Sequence, residues 1–123
     1  LIILNQNISE IKSTFLARCF CAYIDEQIPW DTFIEYNDII SRLFTSDIKN
    51  LRIAYENNGV TQQMSLSYRY YRLESLGLLT KTRMLSGNTI IVEDINKPEN
   101  IIEVTEMGKN FCCVISLLDI PDL

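Results

Sequence analysis

Between residues 60 and 86 four cationic side chains, Arg69, Arg72, Lys81 and Arg83, stand against a single acid, Glu74, and Tyr68 and Tyr71 are interleaved with them. Guanidinium and ammonium groups bind phosphate, and phenolic hydroxyls add hydrogen bonds to the same oxygens. The chemistry on offer is recognition of a polyanion rather than bond breaking. The rest of the chain has the opposite sign: residues 1–59 carry −3 and residues 87–123 carry −5, within an overall −5. Net acidity argues against indiscriminate nucleic-acid binding, and the local excess of cations is what keeps that class of function open.

Other chemistries have less to work with. The chain has no histidine, so neither a Ser–His nor a Cys–His nucleophile can be assembled. Paired carboxylates occur only as neighbours such as Asp25-Glu26 and Glu93-Asp94, which suit solvated turns or strand ends. The four glycines all fall at expected turns or helix ends, and none builds a phosphate loop. Of the four cysteines, Cys19 and Cys21 are two apart, which on a helix sets them roughly 200° around the axis from one another. They and Cys112-Cys113 therefore read as small hydrophobes in a reducing cytoplasm, and no metal or other cofactor is expected. No catalytic residue is assigned, and the chain is not expected to be an enzyme.

These side chains need a scaffold. Residues 8–25 have the apolar spacing of an amphipathic helix through Ile8, Ile11, Phe15, Leu16, Cys19 and Tyr23, and Pro29 ends it. A second helix is expected after Asp31 as N-cap, with Phe33, Tyr36, Ile40, Leu43 and Phe44 inward. A third begins near Thr45-Ser46-Asp47 and buries Ile48, Leu51 and Ala54 or Tyr55, before Asn57-Asn58-Gly59 stops it. The fourth is predicted over residues 61–76, with Leu66, Tyr70 and Leu73 on its core side and Met64, Tyr68 and Tyr71 nearly opposite. Residues 78–85 and 89–95 then read as strands joined at Ser86-Gly87-Asn88, and a third short strand covers 101–104. A three-residue loop would set Lys81 opposite Glu93. The last helix, 105–118, presents Met107, Phe111, Val114, Ile115 and Leu118, with Gly108 a mild defect near its start.

The order, helices, a β-meander and a closing helix, is α+β and not βαβ. At 123 residues it fits one domain, 1–123, without disulfide staples. No apolar run is long enough to span a membrane. The chain does not start with Met, and it is expected to be part of a longer protein.

Two short motifs carry a resemblance. Tyr70-Tyr71-Arg72-Leu73-Glu74-Ser75-Leu76-Gly77-Leu78-Leu79 looks like a winged-helix recognition helix running into its first wing strand. Val104-Thr105-Glu106-Met107-Gly108-Lys109 is similar to the segment that follows the wing in multiple-antibiotic-resistance-type regulators. Together they cover roughly residues 46–115, with 1–45 as an N-terminal helical extension. The resemblance implies a winged helix-turn-helix domain of a transcriptional regulator or larger DNA-processing protein. Its helix 61–76 would enter the major groove, with Gln62, Gln63, Ser65, Tyr68, Arg69, Tyr71, Arg72 and Arg83 as DNA-contacting residues. Winged helices also serve as protein-binding modules. The alternative is therefore a protein partner held by Met64, Tyr68 and Tyr71, favoured by the chain's acidity and by the uncharged tip at Ser86-Gly87-Asn88. A two-fold dimer through the helix 105–118 is a further expectation from the same resemblance.

Overall fold

The structure is a computed structural model that describes residues 2–57, 60–61, 66–83 and 100–120, and the side chains of 8–57, 66–82 and 101–120. Its elements run α1 (Ile2–Ile24), α2 (Trp30–Arg42), α3 (Thr45–Glu56), β1 (Val60–Thr61), α4 (Tyr68–Ser75), β2 (Leu79–Arg83), β3 (Asn100–Val104) and α5 (Glu106–Val114), then a 3-10 turn at Leu117–Asp119. The α+β class is as expected. The three strands form an antiparallel sheet in the order β1-β3-β2.

The helices follow from their apolar spacing, with departures at the edges. In α1 the buried stripe is Ile11, Phe15, Cys19 and Ala22, and Leu16 is left exposed because it falls off that stripe. Glu26 takes a positive φ of 59° just past the helix, and Gln27 N–H bonds the Ala22 carbonyl at 2.8 Å, closing α1. Helix α2 starts at Trp30 with Pro29 in the cap position, two residues ahead of the expected Asp31 cap. Asp31 sits instead in the first turn, where its charge favours the helix dipole. Tyr36, Ile39, Ile40 and Leu43 are buried, whereas Phe44, expected inside, is exposed at the junction with α3. Helix α3 buries Ile48, Leu51 and Ala54 as its spacing requires.

The largest departure is α4. It has eight residues, and the expected helix from residue 61 does not form. Val60 and Thr61 are strand residues paired with Glu103 and Ile102, so their backbone groups are spent on the sheet. Within α4, Tyr70 and Leu73 are completely buried, as expected, and Leu66 lies against the core just ahead of the helix. Gly77 leaves α4 with φ 81°; its N–H bonds the Glu74 carbonyl and Leu78 N–H bonds that of Leu73, at 2.9 and 3.1 Å. This double bond pattern needs a left-handed residue, which glycine adopts without a Cβ penalty.

Strand β2 pairs with β3, where Lys81 stands opposite Ile102, and the expected strand 89–95 lies outside the described residues. Glu93, the Ser86-Gly87-Asn88 tip and the rest of 84–99 lie outside the described residues. Helix α5 begins at Glu106 because Thr105 caps it, its Oγ1 accepting from Gly108 N–H at 2.9 Å. It ends earlier than expected, as Ser116 turns left-handed at φ 50° and Arg18 Nη1 donates to the carbonyls of Ile115 and Ser116. Phe111, Cys112 and Ile115 are buried within this chain, with Tyr36 edge-on to Phe111 at 5.1 Å. Of the stripe expected along this helix, Phe111 and Ile115 are buried within the chain, Met107 and Val114 are half-buried, and Leu118 is exposed. Among the described residues no helix is long and apolar enough to cross a membrane.

Candidate nucleic-acid interface

Burial of Tyr70 and Leu73 fixes the roll of α4 and thereby turns Tyr68, Arg69 and Tyr71 outward. Tyr68 is 66% and Tyr71 44% exposed. Each ring carries a cation. The Arg69 guanidinium lies 5.1 Å from the Tyr68 ring centre, and Lys81 Nζ lies 4.5 Å from that of Tyr71 while donating to its hydroxyl at 3.1 Å. Lys81 reaches α4 because it shares a sheet face with buried Ile102, which also brings its Nζ to 5.7 Å from the Tyr70 ring centre. Attraction between a cation and a ring face is worth about 0.5–1 kcal/mol at exposed sites, enough to order these side chains without neutralising them.

Acids are kept off this face. Glu74 accepts a 2.5 Å hydrogen bond from the Tyr70 hydroxyl. Burial, and after it the Glu74 carboxylate, push the Tyr70 phenol well above its ordinary range. Asp47, a completely buried carboxylate, is held from three directions. Phe44 N–H donates to Oδ2 at 2.9 Å, and Arg72 donates to the same oxygen through Nε at 2.7 Å and to Oδ1 through Nη2 at 2.6 Å. Asp47 thus caps α3 from its third position and ties it to α4. Phe44 has no side-chain acceptor to complete the reciprocal half of that cap.

Arg72 is therefore corrected as a site residue. Expected as a phosphate ligand, it is one half of a bidentate pair, and its bond to Asp47 holds its pKa above the usual value. Its guanidinium also covers the exposed Phe44 ring at 4.5 Å. Sequence reading missed Asp47; the only signal was an acid three positions after the residue that caps α3. Lys81, expected opposite Glu93, donates to the Tyr71 hydroxyl, and Glu93 lies outside the described residues. Tyr68 and Tyr71 share one face as expected, and Arg69, on the flank, lies beside Tyr68. Gln62, Gln63, Met64 and Ser65 lie outside the described residues, as does the side chain of Arg83.

The cysteines divide by exposure. Cys19 and Cys112 are buried, and burial raises their thiols to about 11 and about 12. Cys21 and Cys113 are exposed, so they are not the core hydrophobes the sequence suggests.

No protein-family model matches the chain, and neither the curated proteins nor the solved structures contain a significant match to it.

Proposed function

We propose that this chain is a DNA-binding domain of the winged-helix kind, belonging to a transcriptional regulator or a larger DNA-processing protein. Helix α4 enters the major groove, and Arg69 and Lys81 rest on the phosphates. The supporting observation is the face itself. On an acidic chain, Tyr68 and Tyr71 share the outward side of a short helix, with Arg69 on its flank beside Tyr68 and Lys81 of the following strand beside Tyr71, all four exposed. Among the described residues no carboxylate pairs with either cation. The arrangement around it also favours this reading. A helix passes through a glycine turn into an antiparallel strand pair, and a third strand preceding that helix closes the far edge. Eight residues make α4 about 12 Å long, a length that fits across a major groove of about 12 Å. Tyr68 and Tyr71 hydroxyls add phosphate contacts at either end.

The withdrawal of Arg72 supports a second reading, a protein partner seated on Tyr68 and Tyr71, since tyrosines serve protein interfaces well. Two paired variants separate them. On the DNA reading, Arg69→Ala with Lys81→Ala abolishes binding of a duplex probe at unchanged thermal stability, and Tyr68→Ala with Tyr71→Ala weakens it less. The reverse ranking, read by chemical-shift mapping on the same face, would replace DNA with protein.

A further inference from the structure

The hairpin of α1 and α2 carries a second surface. Phe20, Tyr23, Trp30 and Phe33 form one continuous cluster of rings. Tyr23 stacks on Phe33 at 5.5 Å, Trp30 lies 5.3 Å from Tyr23 and 5.5 Å from Phe33, and Phe20 meets Phe33 edge-on at 6.1 Å. Such clusters normally close a core, yet Phe20 is 51% and Trp30 53% exposed. Ile24 and Ile34, each four residues beyond one of those rings on its own helix, are 59% and 45% exposed. The four-residue spacing sets each isoleucine beside its ring, so the apolar surface is contiguous rather than scattered. A hollow of about 500 Å³ beside it, lined by Tyr23, Ile24, Glu26, Ile28 and Pro29, has room for an anchoring side chain.

The rim decides what covers it. Glu26 lines the hollow beside Ile24, and Asp31 follows Trp30 in the first turn of α2; both are exposed and, among the described residues, neither is in an ion pair. The cations of α1 and α2 are engaged elsewhere: Lys12 on the Ser41 carbonyl, Arg18 on those of Ile115 and Ser116, Arg42 on Asp38. A second copy would bring two more carboxylates against these two, and an anionic lipid surface would be repelled in the same way. A cationic segment is attracted by the rim, can lay lysines or arginines over the Trp30 and Tyr23 rings, and can bury an apolar stripe on the rest.

We infer that this face docks a basic amphipathic helix of a partner protein, its apolar stripe on the ring cluster and its cations on the carboxylate rim. The inference does not rest on the DNA reading. Helix α2 has 13 residues and is about 20 Å long, and Phe44, against which Arg72 lies, is just past its other end. The two faces are far enough apart to be occupied together.

Trp30 is the sole tryptophan, so its emission reports on this surface alone. The whole chain is titrated with an 18-residue helix-forming peptide of leucine and lysine, with its leucine–glutamate counterpart, and with a scrambled leucine–lysine peptide. The lysine peptide is expected to blue-shift Trp30 and cut acrylamide quenching at least threefold. Phe20→Ser or Ile34→Ser, at exposed positions where far-UV circular dichroism checks the fold, should weaken its binding tenfold or more. Glu26→Lys with Asp31→Lys should weaken the lysine peptide and recruit the glutamate one. No Trp30 response to the lysine peptide, or an equal response to all three, overturns the inference. So does Trp30 protection that rises with protein concentration alongside a sedimenting dimer, which assigns the face to a second copy. A larger Trp30 shift with anionic phosphatidylglycerol vesicles than with the peptide overturns it in favour of lipid.

Discussion

Arg72 and Asp47 join two helices through one carboxylate with no exposed surface, so the loss of either partner leaves the other in trouble. Arg72→Ala strands a buried anion, which costs about 2–4 kcal/mol, nearer the lower figure because the Arg72 side is a quarter exposed and water can enter. Urea denaturation should show this as a lower midpoint at unchanged slope. Arg72→Lys should recover only part of it, since one ammonium group does not span both oxygens as the guanidinium fork does. A loss of DNA binding in Arg72→Ala would thus report on folding, and Arg69 and Lys81 are the informative positions. The cysteines give a second prediction at this scale. Iodoacetamide at neutral pH should label Cys21 and Cys113, and Cys19 and Cys112 only after unfolding, because burial keeps those thiols protonated. The sign for stability follows from the same shifts. Below the ordinary thiol pKa of 9.0 both folded and unfolded chains are protonated there, and the full stability is present. As pH rises toward about 11 and about 12 only the unfolded chain has released its protons, so stability falls, and alkaline thermal melts should show it.

Among the elements, the two motifs that suggested a fold turn out to be bonded to each other. Thr105 N–H donates to the Leu78 carbonyl at 3.0 Å, and Thr105 Oγ1 donates to that of Gly77 at 2.5 Å. Gly108 belongs to the same junction: a Cβ there would lie 2.5 Å from the Leu78 carbonyl oxygen and 2.8 Å from a Val104 methyl. The sequence reading of Gly108 as a mild helix defect is therefore reversed. Helix propensity alone makes Gly108→Ala stabilising by about 1 kcal/mol, whereas the clash makes it destabilising by about 1–3 kcal/mol; a melt decides the sign. Legibility followed how local the cause was. The stripes of α3 and α5, the Thr105 cap and the Gly77 turn rest on neighbours within a few residues, and each could be read from the chain. The start of α4 could not, because what holds Val60 and Thr61 extended is β3, some forty residues on. Nor could the exposure of Phe44 or the commitment of Arg72, which are settled by a partner 25 residues away in sequence. Of the expected site, the Tyr68 and Tyr71 face with Arg69 on its flank was legible from helical spacing, and Lys81 was placed on the right strand without its contact to Tyr71.

For the molecule as a whole, an acidic body with one small cationic face sets the form that binding takes. On the proposed DNA reading few phosphates can be neutralised, so modest affinity and a shallow salt dependence are expected: for two or three phosphate contacts, binding should weaken about 10- to 40-fold between 50 and 200 mM salt. The remaining charge, −5 over the chain, works against nonspecific association and favours cationic partners on the α1–α2 face. The most direct test is fluorescence anisotropy of a labelled random-sequence duplex titrated with the chain at those two salt concentrations, beside the Arg69→Ala, Lys81→Ala double variant. The account predicts saturable binding at low salt, the stated weakening at higher salt, and loss of both in the folded double variant. No anisotropy change at low salt with high-micromolar protein, or binding that the double variant retains, would contradict it.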